Sequence, residues 1–222
     1  MRSRNKTSVF FQKVYSWMFI GLILSALTAL AVIGIPALTA FVFANMAIFI
    51  GLLIAELILV IALVAALKKI SSRTAKIMFV IYSLLNGLTI SVVLLVYTGA
   101  SVIATFFIAA IMFGSIAMWG FFTDKDLSKW GPILFMALIG LIIALVVNIF
   151  LKSTMMDLIV SIIGVLLFAG LTAYDNQYLK RLSLKISGKE HIEKMAIMGA
   201  LKLYLDFINL FLFLLRILGK RR

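Results

Sequence analysis

Residues 18–36 read MFIGLILSALTALAVIGIP, nineteen positions without a single charge. A membrane β-strand would alternate apolar and polar side chains, and this stretch does not. In lipid a run of this kind must satisfy its own backbone hydrogen bonds, which leaves the α-helix. About 20 residues of helix cross a hydrocarbon layer roughly 30 Å thick, so the stretch is of spanning length. The same reading identifies seven apolar stretches along the chain, near 16–35, 46–67, 77–97, 101–122, 131–151, 157–177 and 195–217. The composition agrees: 222 residues, 64% hydrophobic, 13% charged, mean hydropathy +1.21. Soluble domains carry about 25% charged residues, so a water-soluble fold is excluded. Seven passes use about 140 residues and leave only short connections. The expectation is one all-α polytopic transmembrane domain over 1–222, its first span a retained helix rather than a cleaved signal, since no A-x-A-like site follows it cleanly. Pro36 and Pro132 fall at span ends, where they punctuate rather than kink.

The net charge of +13 could suggest nucleic acid, but its distribution points elsewhere. Arg2, Arg4, Lys6 and Lys13 precede span 1; Lys68, Lys69, Arg73 and Lys76 separate spans 2 and 3; Lys125 and Lys129 follow span 4. Lys180, Arg181, Lys185, Lys189 and Lys194 follow span 6, whereas the other side has only Lys152 before the chain end. This is the positive-inside pattern of a multi-pass protein of the cell membrane, with the N-terminus cytosolic. The base therefore orients the chain and meets anionic membrane lipid; it is not a nucleic-acid footprint. Arg216, Lys220, Arg221 and Arg222 fall outside in a seven-span frame, whereas a re-entrant last segment would keep them inside. Both frames remain open at this point.

Enzyme chemistry has little to stand on. There is no cysteine, and the single His191 lies in a charged loop with Glu190 and Glu193. No phosphate loop, GxSxG or HExxH is present, and no cofactor is expected.

Charges inside spans cost about 2.5–3.5 kcal/mol each on insertion scales, so they mark function or its support. Glu56, Asp175, Lys202, Asp206 and Arg216 qualify, with Asp157 at the mouth of span 6. In span 7, Lys202, Asp206, Asn209, Phe213 and Arg216 recur every three or four residues and form one seam about 21 Å long. An apolar helix with one polar seam belongs inside a bundle. Lys202 and Asp206 could also simply neutralise each other one turn apart. Asp175 and Asp206 both occupy the cytosolic half and face one another if spans 6 and 7 pack together. Two such carboxylates in low dielectric resist double ionisation, so the pair can hold one proton near neutral pH. Ionised, the pair would attract a hard cation. Ca²⁺ takes 6–8 oxygens and two carboxylates supply at most about four, which predicts weak, transient binding. Against this stands a plain reading of Asp175 as a helix-end residue in interfacial water. Glu56 reads as a buried residue hydrogen-bonded to Asn, Ser or Arg216. Asn86, Ser91 and Asn148 read as interhelical glue, and Gly114, Gly140, Gly164 and Gly170 as close helix contacts.

GLTAYDNQYLKRL (170–182) and KLYLDFINLFLFLLRILG (202–219), with YSLLNGLTISVV (82–93) and Glu56, resemble the signatures of the Bax inhibitor-1 family, and the short loops look like a bacterial member. The resemblance covers essentially the whole chain. It implies six helices around a central seventh and a pH-sensitive calcium leak, with calcium as the transported ion. It also implies that Asp175 and Asp206 form the pH sensor and that Glu56 and Arg216 pair across the bundle. One departure is present. Members often carry an arginine near the cytosolic end of the second helix, able to latch the first aspartate. Here LVAALKKISSR (63–73) has Ala66 and Leu67 in that place. The latch role then falls to Lys68, Lys69 or Arg73, and a lysine lacks the planar two-pronged contact.

The leading expectation is thus a leak gated by protonation of Asp175 and Asp206. The alternative is a non-conducting interaction protein acting on a membrane protease or a stress or cell-death partner. A retinal-type protein is disfavoured, because span 3 has no Asp or Glu to serve as counter-ion to Lys202. A proton-coupled transporter would fit intramembrane carboxylates, but no inverted repeat is visible.

Overall fold

The computed structural model describes residues 2–43, 45–67 and 69–222, the side chains of 2–5 excepted. Its elements are α1 (Arg2–Gly34), α2 (Pro36–Phe43), α3 (Met46–Ala66), α4 (Ser72–Val96), α5 (Gly99–Phe122), α6 (Trp130–Leu151), α7 (Thr154–Lys185) and α8 (Lys189–Leu218). Among the described residues, all but the short α2 are long and apolar enough to cross a membrane, giving seven spans. The protein is an all-α polytopic membrane protein. Side chains that a soluble protein would hide stand outward, with Phe150, Phe122 and Ile111 at 80%, 71% and 71% exposure, as a lipid-facing surface requires.

The breaks between helices follow local chemistry. Asn45 caps α3 by accepting from the Ala47 N–H at 2.8 Å, and Ser71 caps α4 by accepting from the Thr74 N–H at 3.1 Å. Pro36 opens α2, where its missing N–H costs nothing. Asn148 closes the α6–α7 turn: its carbonyl accepts from Lys152 N–H at 2.8 Å and its side chain from Ser153 N–H at 3.1 Å. That is a turn-closing role, where interhelical glue was expected.

Three helices are longer than their apolar stretches. The 33, 32 and 30 residues of α1, α7 and α8 correspond to about 45–50 Å, well past a ~30 Å hydrocarbon layer. Hydropathy sees only the part in lipid; the extensions are held by polar contacts. Thr7 Oγ1 and Ser183 Oγ lie 2.9 Å apart, joining α1 to α7. Glu193 of α8 meets Lys76 of α4 at 2.6 Å and Lys13 of α1 at 3.7 Å. Glu190 accepts from the N–H and hydroxyl of Ser72, at 2.5 and 2.8 Å, supplying the start of α4 with a cap from another helix.

The chain forms two compact units, one of residues 1–97, 183–204 and 222, the other of 98–182 and 205–221. In the first, α1 and α4 pack so closely that a Cβ built on Gly87 would lie 2.6 Å from Ser25 O. In the second, α5 and α7 touch through backbone: a Cβ on Gly120 would lie 2.4 Å from Ala173 O. Of the glycines expected to mark close contacts, Gly164 and Gly170 do so, against Phe213 and Leu134. Gly114 and Gly140 have nothing within 4 Å of such a Cβ, whereas Gly120, which was not singled out, makes a very close approach. Which side of a helix meets a neighbour is decided by packing, not by the glycine.

The last helix is the most buried, with 72% of its apolar window covered against 11% for α3 and α6. It runs unbroken to Leu218, so the re-entrant frame is not the one adopted. Its tail is tied beside the α4–α5 connection: Thr98 N–H donates to Lys220 O at 3.0 Å, Lys220 N–H to Ser101 Oγ at 3.0 Å, and Arg222 N–H to Val96 O at 2.9 Å. The C-terminal basic residues therefore follow the end of α8 opposite to the one that carries Lys189 and Lys194.

Candidate functional site

α7 and α8 run antiparallel, joined by residues 186–188, with Gly188 at φ +86° making the reversal. They meet where the rings of Phe168 and Phe213 stack at 5.9 Å, and Gly164 leaves the space that the Phe213 ring occupies. Seven residues further along α7 is Asp175; seven residues back along α8 is Asp206. Seven residues are about two turns and advance about 10.5 Å while nearly preserving the face. The Phe168–Phe213 register thus brings the two carboxylates to one depth, on the faces through which the rings meet. Asp175 is 3% exposed and Asp206 4%, so neither is the interfacial, water-facing residue that position alone allowed for Asp175.

The segment of α7 that carries Asp175 is held on both sides. Thr172 Oγ1 donates to Phe168 O at 2.7 Å and Asn176 Nδ2 to Thr172 O at 2.8 Å, turning these polar groups onto their own helix. Gln177 then grips the α5–α6 connection, accepting from Leu127 N–H at 2.9 Å and donating to Lys125 O at 2.7 Å. Lys180 Nζ donates to Phe121 O at 2.6 Å and lies over the Phe121 ring at 4.9 Å. Arg181 pairs with Asp126 at 2.7 Å and donates to Ser128 Oγ. The Ser128 backbone N–H first, and Arg181 after it, hold the Asp126 carboxyl down at about 2. Gln177 gave no signal in the sequence, because a lone glutamine after an aspartate is ordinary at a helix end.

The other sequence-identified residues are distributed as follows. Lys202 is half-buried on α8. Asn209, expected as an interhelical contact, donates to Leu205 O of its own helix at 2.8 Å. Arg216 meets Asp157 at 3.6 Å, and Arg221 approaches the second oxygen of the same carboxylate at 3.9 Å. The guanidinium of Arg216 also stacks over Phe213 at 5.3 Å. Glu56 has different company: Asn86 Nδ2 donates to Oε2 at 2.9 Å and Thr89 Oγ1 to Oε1 at 2.7 Å. Where the resemblance implied a Glu56–Arg216 pair, each residue has its own counterpart. Of the latch candidates, Lys69 and Arg73 are exposed, and Lys68 lies outside the described residues.

Like Thr89, two further residues that gave no signal in the sequence join the Glu56 cluster. Tyr204 Oη donates to Asn86 Oδ1 at 2.7 Å, and Ser25 Oγ lies 2.6 Å from Tyr204 Oη. Tyr204 is fully buried.

Among the described residues no group of three or more His, Cys, Asp or Glu is placed to hold a metal ion. Two aspartates offer at most about four carboxylate oxygens, fewer than the roughly 6–8 that Ca²⁺ takes.

The family model described as "Inhibitor of apoptosis-promoting Bax1" matches residues 7–222. The chain is 45% identical to the inner membrane protein YbhL of Escherichia coli, an alignment covering 100% of this chain and 96% of that protein. It is 43% identical to an uncharacterized protein of Borreliella burgdorferi, covering 96% and 92%. It is 38% identical to the protein YrjE of Lactococcus lactis, covering 96% and 91%. With seven apolar helices and an inner membrane relative of full length, the chain is a multi-pass membrane protein.

Proposed function

The chain belongs to the Bax inhibitor-1 family, and on that premise we propose that it is a pH-sensitive calcium leak of the cell membrane, gated by protonation of Asp175 and Asp206. One observation carries the reading: Asp175 and Asp206 are both buried, and the Phe168–Phe213 contact supports a common depth for them on antiparallel α7 and α8. Carboxylates so placed share protons rather than ionise independently. With both ionised, the pair attracts calcium and is itself drawn to neighbouring cations. One proton weakens that hold and lets α7 and α8 separate. A second proton removes the charge that draws calcium, so the leak is greatest at intermediate protonation. The reading includes a cytosolic N-terminus, which the distribution of basic connections supports, and a passive leak that calls on no catalysis or resident cofactor.

The departure at Ala66 and Leu67 bears on the closed state. In this chain α7 is instead fastened beyond Asp175 by Gln177, Lys180 and Arg181. We assign these residues the restraining role that the family gives to an arginine of the second helix.

The test is calcium flux into proteoliposomes of purified protein over a pH series. Wild type should conduct with a bell-shaped profile, and Asp175→Asn and Asp206→Asn should each flatten it. Flux of unchanged size and profile in both variants overturns the two-aspartate gate. No flux from folded wild type overturns the leak and favours an interaction protein acting on a membrane partner.

A further inference from the structure

Glu56 is a carboxyl set in the middle of a membrane helix, 8% exposed, where a permanent charge or an unsatisfied oxygen is costly. We propose that Glu56 is a proton-binding site in its own right, with Thr89 as the hydroxyl that adapts to either protonation state. The inference does not rest on ion conduction or on the aspartate pair.

The argument is a count of protons. Thr89 has one hydroxyl proton and two acceptors in reach, Glu56 Oε1 at 2.7 Å and Asn86 O at 3.0 Å. When Glu56 is ionised, Thr89 donates to Oε1 and Asn86 Nδ2 donates to Oε2 at 2.9 Å. When Glu56 is protonated, its Oε1–H donates to Thr89 Oγ1 across the same gap. Thr89 then turns its own proton to Asn86 O, while Asn86 Nδ2 still donates to Oε2. Neither state leaves a member of the cluster unsatisfied, and one hydroxyl rotation separates them. A carboxyl serving only as glue needs one such arrangement, not two.

The remaining bonds keep this geometry steady through the exchange. Asn86 Oδ1 accepts from Tyr204 Oη at 2.7 Å, so its amide nitrogen must face Glu56. Ser25 Oγ supports Tyr204 Oη at 2.6 Å and lies 2.7 Å from Ser83 O. Among the described residues, the titratable side chains beside the cluster are Tyr204 of α8, bonded to Asn86, and Tyr82 of α4, whose ring lies 5.7 Å from that of Tyr204. From α1 it receives the Ser25 hydroxyl, and α2 (PALTAFVF) contains no titratable residue. Lys202 and Asp206 each lie two residues from Tyr204, about 200° around α8 from it. The exchange itself is a carboxylate taking a proton from hydronium and leaving water; no other group changes charge.

Infrared difference spectroscopy of the full chain in lipid nanodiscs, titrated with pH, reads this site without any flux. The background is Asp175→Asn with Asp206→Asn, which silences the other buried pair. A protonated-carboxyl C=O band should grow as pH falls and vanish in the same background with Glu56→Gln. Thr89→Ser should leave its midpoint in place. Thr89→Val should move it to higher pH by about one unit, a tenfold gain in proton affinity, because bonds to the charged form are the stronger ones. Circular dichroism confirms that each variant is folded. A band that persists in Glu56→Gln overturns the proposal, as does the absence of any Glu56-dependent change across the folded pH range. An unshifted midpoint in Thr89→Val removes Thr89 from it.

Discussion

Replacing Gly120 by alanine tests the packing that underlies the aspartate pair. The added methyl would lie 2.4 Å from Ala173 O and 2.7 Å from Ala173 Cα, both backbone atoms that no rotamer change can move. Carbon and oxygen atoms settle at about 3.5 Å, so the shortfall is about 1 Å and α5 must move away from α7. Overpacking of this kind costs about 1–3 kcal/mol. Alanine returns about 0.5–1 kcal/mol through its better helix propensity, so the net loss should be about 1–2 kcal/mol. Gly114→Ala and Gly140→Ala provide the control, since nothing lies within 4 Å of a Cβ at either position. They add the propensity gain with no clash. Unfolding in mixed detergent micelles, followed by circular dichroism and tryptophan fluorescence, gives the three free energies on one scale. Gly120→Ala should be the least stable and the other two equal to or above wild type. If Gly120→Ala unfolds with the two controls, α5 and α7 are not in backbone contact at Ala173.

The other expectations are smaller. Asp126 is held at about 2, below the usual carboxylate value of 3.8, so its contribution to the α5–α6 connection is complete above about pH 4 and disappears as pH falls through about 2. Amide-exchange protection of residues 123–129 should show that loss in wild type, and Asp126→Asn should abolish the pH step. Asp157→Asn should release Arg216 and Arg221 together but cost only about 0.2–1 kcal/mol, because all three groups are partly exposed; the unfolding assay checks this, and a larger loss would mean that the cluster is desolvated. Gly188→Ala places a side chain at φ +86° and should cost about 1–2 kcal/mol by the same measurement, with Gly188→Asn recovering part of it.

The membrane fold could be read from hydropathy because lipid imposes one rule, backbone self-sufficiency, on every spanning segment. What hydropathy could not show was the extent of α1, α7 and α8. Their outer turns are polar and persist because Thr7, Lys13, Lys76, Glu190 and Glu193 find counterparts across helices. Such contacts link residues more than a hundred positions apart and leave no local pattern. Gly114 and Gly120 make the same point within one helix. Both are glycines on α5, yet only one meets a neighbour, and the difference lies in Ala173, far along the chain.

α8 shows which polar residues were legible in the sequence and which were not. Lys202, Asp206, Asn209 and Arg216 stood out because charges and amides are rare in such a helix, and their spacing put them on one face. Tyr204 did not stand out, since a tyrosine in an apolar run counts as hydrophobic surface with a polar tip. Buried completely, that tip must find hydrogen bonds, and it does so with Asn86 and Ser25, about 200° around the helix from Asp206. The helix therefore carries polar groups on two opposite sides, each buried. A helix with a single polar seam could turn that seam toward water by rolling about its axis. With two, any roll that hydrates Asp206 also strains the Tyr204 bonds, and leaving a buried group unsatisfied costs about 1–3 kcal/mol. The second polar side resists axial rotation of α8, so movement of Asp206 is expected as translation or tilt of the helix rather than as a roll.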